Sequence, residues 1–136
     1  VCVIDTKQDN RVIALDETRG WNPQQGTMFY WHPRQAETQF FFNDRDPETG
    51  RVFTVLYDLR NKKRLREYRY KDTPIGNGGV SADGTFFMGL NYGRLARLRL
   101  VTGYPNALDW SKGKSPRPMT QSRCRASRKI KPGRSS

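Results

Sequence analysis

The sequence predicts an all-β fold, and three observations carry that prediction. Apolar and aromatic residues come in short runs of five to nine residues, the length of strands rather than helices. Each run ends in turn chemistry. Nowhere do apolar residues recur at helical spacing for three turns.

Taken in order, the expected strands are Val1–Thr6, Arg11–Glu17, Thr27–Trp31, Thr38–Asn43, Arg51–Leu59, Arg64–Tyr70, Thr85–Asn91 and Ala96–Leu100. The first is rich in Val and Ile and breaks at Asp9-Asn10, which makes it a hairpin with the second. Asn22-Pro23 separates the second from the third, and His32-Pro33 turns the third into the fourth. Thr38–Asn43 contains Phe40-Phe41-Phe42, a run suited to burial on both faces. Asp46-Pro47 and Thr49-Gly50 lead into Arg51–Leu59, and Asn61-Lys62-Lys63 leads into Arg64–Tyr70. There Leu65 and Tyr68 alternate with basic residues, as on an edge strand guarded against pairing. Gly76-Asn77-Gly78-Gly79 lacks the third glycine and following helix of a dinucleotide fingerprint and reads as a linker loop. Asp83-Gly84 then opens Thr85–Asn91, and Tyr92-Gly93 precedes the last expected strand.

Spacing groups these strands. Trp31–Asn43 can be laid over Val80–Asn91 with the two Asn offset by about 48, and Val3–Leu15 over Leu56–Glu67 with an offset of about 53. Two matches near one period, each of two strands, describe a four-stranded unit of about 50 residues, the size of a β-propeller blade. The expectation is an incomplete propeller of four-stranded antiparallel blades over residues 1–107: half a blade at 1–17, a full blade at 26–70 and half a blade at 78–100. A chain that opens on Val1 in mid-strand reads as processed or as a fragment.

Charge divides the chain at the same boundary. The 136 residues are 35% hydrophobic and carry 25 Lys and Arg against 13 Asp and Glu, a formal net charge of +12. Residues 108–136 hold nine basic residues and one acid, so +8 of the +12 lies there. With Trp110 as its sole aromatic, this segment is expected to be a disordered basic tail in which the propeller reading is interrupted. It lacks interleaved aromatics, so any nucleic-acid binding through it would be nonspecific and salt-sensitive. There is no run of about 18 apolar residues, hence no expected membrane helix. Cys2 and Cys124 are read as a buried structural thiol and an incidental one rather than a disulfide.

Ser81-Ala82-Asp83-Gly84 before an apolar strand and Leu56-Tyr57-Asp58-Leu59 before a Lys-rich turn resemble the marks of TolB-like propellers, with Ala82 where that family usually has Pro. Arg19–Gly26, Trp31-His32-Pro33, Phe42-Asn43-Asp44-Arg45 and Gly89–Leu95 resemble the corresponding stretches of oligogalacturonate-lyase-like propellers. This resemblance implies a seven-bladed propeller that cleaves pectin-derived uronate linkages by β-elimination at a Mn site of His and Gln. It also implies a secreted or periplasmic parent. A single His, His32, cannot supply that cluster, so lyase chemistry would need the remaining blades of a larger propeller, and this chain alone is expected to be inactive. The other reading is a noncatalytic TolB-like module that binds protein or carbohydrate.

Candidate ligand residues cluster at the crossing between blades. Arg19 can make a bidentate contact with a carboxylate, Gln24 and Gln25 can exchange hydrogen bonds with sugar hydroxyls, and Trp21 either faces a pyranose ring or packs between blades. Asn43 with Arg45 and Asn91 with Arg94 stand at matching positions of consecutive blades, as a ligand surface or a recurrent structural bond. Asn43-Asp44-Arg45-Asp46 lacks calcium-loop spacing and reads as a hairpin turn.

Overall fold

The computed structural model describes residues 1–114 and 123–125. Three antiparallel sheets follow one another along the chain. The first pairs β1 (Cys2–Asp5) with β2 (Arg11–Ala14). The second is a four-stranded meander of β3 (Tyr30–Trp31), β4 (Gln39–Arg45), β5 (Val52–Asp58) and β6 (Lys63–Tyr68). The third joins β7 (Gly76–Val80), β8 (Phe86–Leu90) and β9 (Arg123–Arg125). An α-helix, α1 (Tyr92–Leu98), and a 3₁₀ turn over Leu100–Thr102 come after β8. The protein is thus mostly β, in antiparallel sheets. No helix among the described residues is long and apolar enough to cross a membrane.

The Phe run explains how the sheets stack. Successive side chains of a strand point to opposite faces, so Phe40 and Phe42 share one face of the middle sheet and Phe41 occupies the other. On the first face Phe40, Phe42, Phe53, Val55 and Tyr57 form a core against Val1 and Leu15, which flank the β1–β2 hairpin. The second face joins Phe41 and Tyr68 to Ile75 and Phe87 of the third sheet and its approach. Every Phe of the run is at most 1% exposed.

Between the sheets lies a polar core. Asn43 is fully buried within β4. Its Nδ2 donates to the Asn77 carbonyl (2.8 Å) and the Tyr104 hydroxyl (2.9 Å), while Oδ1 accepts from the Asn77 amide (2.7 Å) and the Thr54 hydroxyl (3.1 Å). A buried amide costs little only when its groups are satisfied.

Several expectations need correction. Residues 92–98 are a helix, not the strand expected at Ala96–Leu100. Asn91 caps it, its Oδ1 accepting from the Arg94 amide at 3.0 Å, and Tyr92 stacks on Tyr104 with ring centroids 4.0 Å apart. Two turns are too few to print a helical period, and tertiary packing decides the conformation. The glycine run is a strand instead of a linker, because Gly76 and Gly78 let Asn43 and Leu90 side chains reach the backbone: a Cβ would come within 2.7 Å of the one and 2.4 Å of the other. Asn43 and Asn91 are not equivalent, one lying within a strand and the other capping a helix. Cys2 is exposed rather than buried.

Specific contacts continue past Ala107. The Leu108 amide donates to the Gly50 carbonyl at 2.8 Å, and Asp109 pairs with Arg97 at 2.7 Å. Residues 115–122 and 126–136 of the expected tail lie outside the described residues.

Candidate functional site

The segment between β2 and β3 is anchored on β4 by hydroxyls and a glycine. Thr18 and Thr27 each donate to the Asn43 carbonyl at 2.6 Å. Between them Gly20 lies so close to Asp44 that a Cβ would fall 2.8 Å from its backbone, so only glycine fits without displacing the strand. Asn22 folds the following residues into a tight loop: its Oδ1 accepts from the amides of Gln24 (3.0 Å) and Gln25 (2.7 Å), and its backbone exchanges two hydrogen bonds with Gly26. Gly26 has φ +61°, a conformation that glycine adopts without strain. Arg19, Gln24 and Gln25 are exposed, and Trp21 is 54% exposed rather than packed between sheets.

Asp44 brings two candidate residues together. Its Oδ1 accepts from the backbone amides of both Arg19 (2.9 Å) and Arg45 (2.7 Å), so the loop and the end of β4 are tied at one oxygen. The other oxygen pairs with Arg64 at 2.9 Å. Arg64 also binds Asp16 at 2.8 Å and Glu67 at 3.0 Å. Although partial burial opposes its charge, these three carboxylates hold the Arg64 guanidinium protonated. That cation is committed inside the protein. Arg45 differs: its Nε is buried with no hydrogen-bond partner, and its Nη1 stands 3.4 Å from the Asp46 carbonyl.

Arg45 also borders a cleft of about 600 Å³ between the β4–β5 turn, α1 and residues 106–112, within the size range of small-molecule sites. Arg97 and Lys112 stand on its far side with Asp109. Burial raises the Asp109 pKa, but hydrogen bonds from Ser111, Arg97 and Asn91 outweigh it and bring the group down to about 2, so this carboxylate is neutralised in place by Arg97. The turn itself is closed by Asp46, whose Oδ1 accepts from the Glu48 (3.1 Å) and Thr49 (2.8 Å) amides, the hairpin expected there.

The β2–β3 loop, on which Arg19, Trp21, Gln24 and Gln25 are exposed, thus meets the end of β4 at one corner, where Asp44 ties the Arg19 backbone to that of Arg45. Asn43 stands behind them as the buried anchor. Asn91 caps α1 and donates to Asp109 at 3.0 Å, while the helix turns Gly93, Ala96 and Arg97, rather than Arg94, toward the cleft. Sequence reasoning missed Arg97 and Lys112, since the expected strand and tail put them elsewhere.

His32 is not part of this corner. It stacks on Phe41 with centroids 5.4 Å apart, and its Nδ1 accepts from the Arg34 amide at 3.2 Å. Burial lowers its pKa, and Arg34 adds to that. Among the described residues no three His, Cys, Asp or Glu side chains come together as a metal site, so the donors present do not fit the Mn that the resemblance implies. No family model, curated protein or solved structure matches this chain.

Proposed function

We propose that the chain forms consecutive blades of a β-propeller and binds an acidic, uronate-type oligosaccharide at the corner built by the β2–β3 loop, Arg45 and the adjoining cleft. The observation that carries this reading is the shared Asp44 oxygen, which ties the Arg19 backbone to that of Arg45, and Arg45 borders the cleft. Two guanidinium groups suit a polymer bearing regularly spaced carboxylates. Gln24, Gln25 and the exposed Trp21 suit the hydroxyls and apolar face of its sugar rings. The blade reading is supported by the way the repeat is realised: β1–β2 and β5–β6 are both antiparallel hairpins, as are β3–β4 and β7–β8.

β-Elimination, as in oligogalacturonate-lyase-like propellers, would fall to residues outside this corner, in further blades. The scattered donor set favours a noncatalytic, TolB-like role for this chain. Titration of the chain with trigalacturonate, followed by calorimetry, tests the site. Arg19→Ala and Arg45→Ala should each weaken binding about tenfold, near the value of one charge-assisted contact, and the neutral trisaccharide maltotriose should not compete. Unchanged binding in both variants, or equal binding of maltotriose, would overturn the reading. Growth of ultraviolet absorbance from unsaturated uronate would instead show that the chain is a lyase by itself.

A further inference from the structure

The first and third sheets are complementary halves of the middle one. In sequence and pairing β1–β2 corresponds to β5–β6, the outer two strands, and β7–β8 to β3–β4, the inner two. The turn chemistry repeats as well: Asp5 Oδ1 accepts from the Lys7 amide at 3.0 Å, just as Asp58 Oδ1 accepts from the Arg60 amide at 2.8 Å. On this correspondence Cys2 and Ile4 stand where Val55 and Tyr57 stand in β5.

Their surroundings could hardly differ more. Val55 and Tyr57 are 0% and 2% exposed, because β4 pairs with β5 along its whole length and the β1–β2 hairpin covers the face. Ile4 is 60% exposed, and Val12, opposite it in register, 64%. The edge of β1 is open too. Leu15 donates its amide to the Val1 carbonyl, so alternation directs the Val3 backbone toward β2 and the Cys2 and Ile4 backbones away from it. An apolar groove of about 300 Å³, bordered by Val3, Ile13, Phe29 and Trp31, runs beside this strand. At the opposite end of the molecule Phe87 faces inward, 2% exposed, whereas Phe86 and Met88 on the other face of β8 are 39% and 46% exposed. That outer face corresponds to the one through which Phe41 and Leu56 bury the third sheet.

We propose that copies of this chain associate head to tail, the β7–β8 end of one copy meeting the β1–β2 end of the next so that together they make a four-stranded sheet. This inference rests on the blade reading above and not on the ligand. A second copy is the occupant because the exposed apolar faces of β1–β2 and β8 match those that pack within the chain, and the join repeats the β4–β5 pairing already made there. The incoming β1 takes the place of β9, which holds β8 through three residue pairs. Such a contact is heterologous, so it extends past two copies until a ring closes.

Sedimentation or light scattering over a range of concentrations tests this on the full chain. The wild type should grow past twice the one-copy mass, while Ile4→Lys and Met88→Lys should each stay at one copy. Mixed in equal amounts, the two variants should reach twice the one-copy mass and stop, since each retains the end that the other has lost. Far-ultraviolet circular dichroism checks folding, and Val12→Lys or Phe86→Lys replaces a variant that fails it. A wild type that stays at one copy up to about 1 mM, the weak limit of specific association, would overturn the proposal. So would a Met88→Lys variant that still self-associates, the mark of β1 pairing with β1, or a mixture that stays at one copy. Failure of this test with carboxylate binding intact would leave the Arg19 and Arg45 site standing.

Discussion

Asn43 joins the sheets more than any side chain at the surface does. Its amide reaches Asn77, Thr54 and Tyr104, and its carbonyl holds the Thr18 and Thr27 hydroxyls that seat the candidate loop. Asn43→Ala would take one of two partners from each of the buried Asn77 amide and carbonyl, which keep Thr54 and Tyr92, and remove the centre of the network, at a cost of about 3 kcal/mol. Urea unfolding measures it, and a loss below about 1 kcal/mol, the value of one ordinary hydrogen bond, would show that the network is dispensable. The same cluster sets a response to alkali. Burial pushes the Tyr104 hydroxyl from 10.0 up to about 12, even though hydrogen bonds from Asn43 and Tyr92 oppose the rise. The folded state therefore holds that proton more tightly than the unfolded chain, so its stabilisation is complete below pH 10 and is lost as pH rises toward 12. Unfolding followed by circular dichroism should coincide with tyrosinate absorbance in that window, whereas titration well before unfolding would contradict the burial argument. Sequence alone shows Asn43 as a polar residue ending an aromatic strand. Its role was illegible because its partners lie 34 and 61 residues away, beyond the reach of local spacing.

At the scale of elements, the hairpins were legible and the helix was not. Phe40-Phe41-Phe42 marks a strand buried on both faces wherever it occurs, and Asp58 and Asp83 mark turns through bonds made within three residues. α1 carries only its Asn91 cap as a local signal, and the rest of what holds it is the Tyr92–Tyr104 stack and the fit of Gly103 against its backbone. A Cβ on Gly103 would lie 2.0 Å from the Ala96 nitrogen and 2.3 Å from the Tyr92 carbonyl oxygen. Gly103→Ala must therefore push the 3₁₀ turn off the helix and part the two rings. The expected result is a destabilisation of about 2 kcal/mol, typical of overpacking, with loss of tyrosine near-ultraviolet dichroism. Retention of that signal at full stability would mean that the turn shifts freely and does not fix the helix.

For the whole molecule the decisive question is what makes three sheets one body. Turn chemistry foretold the order of the hairpins, but no local signal specifies how a sheet is fastened to its neighbour. Between the second and third sheets the fastening is the apolar core of Phe41, Tyr68, Ile75 and Phe87 together with Asn43 and Asn77. Between the first and second it is thinner: Val1 and Leu15 pack on the aromatic face, Tyr57 donates to the Leu15 carbonyl at 2.9 Å, and Arg64 spans 48 residues to Asp16. Arg64 also holds Asp44, which in turn seats the Arg19 loop, so one guanidinium couples the first sheet to the candidate site. Local opening follows the weakest fastening, and the β1–β2 hairpin should be the first unit to detach. Arg64→Met keeps the length of the stem over Phe42 but leaves Asp16 and Asp44 without their cation. Hydrogen exchange in that variant should accelerate about tenfold or more in β1, β2 and residues 18–26, as for a unit whose opening costs over 1 kcal/mol less, with β4, β5 and β8 unchanged. Equal acceleration in every strand would mean that the sheets open only together, and that the first is bound as firmly as the rest.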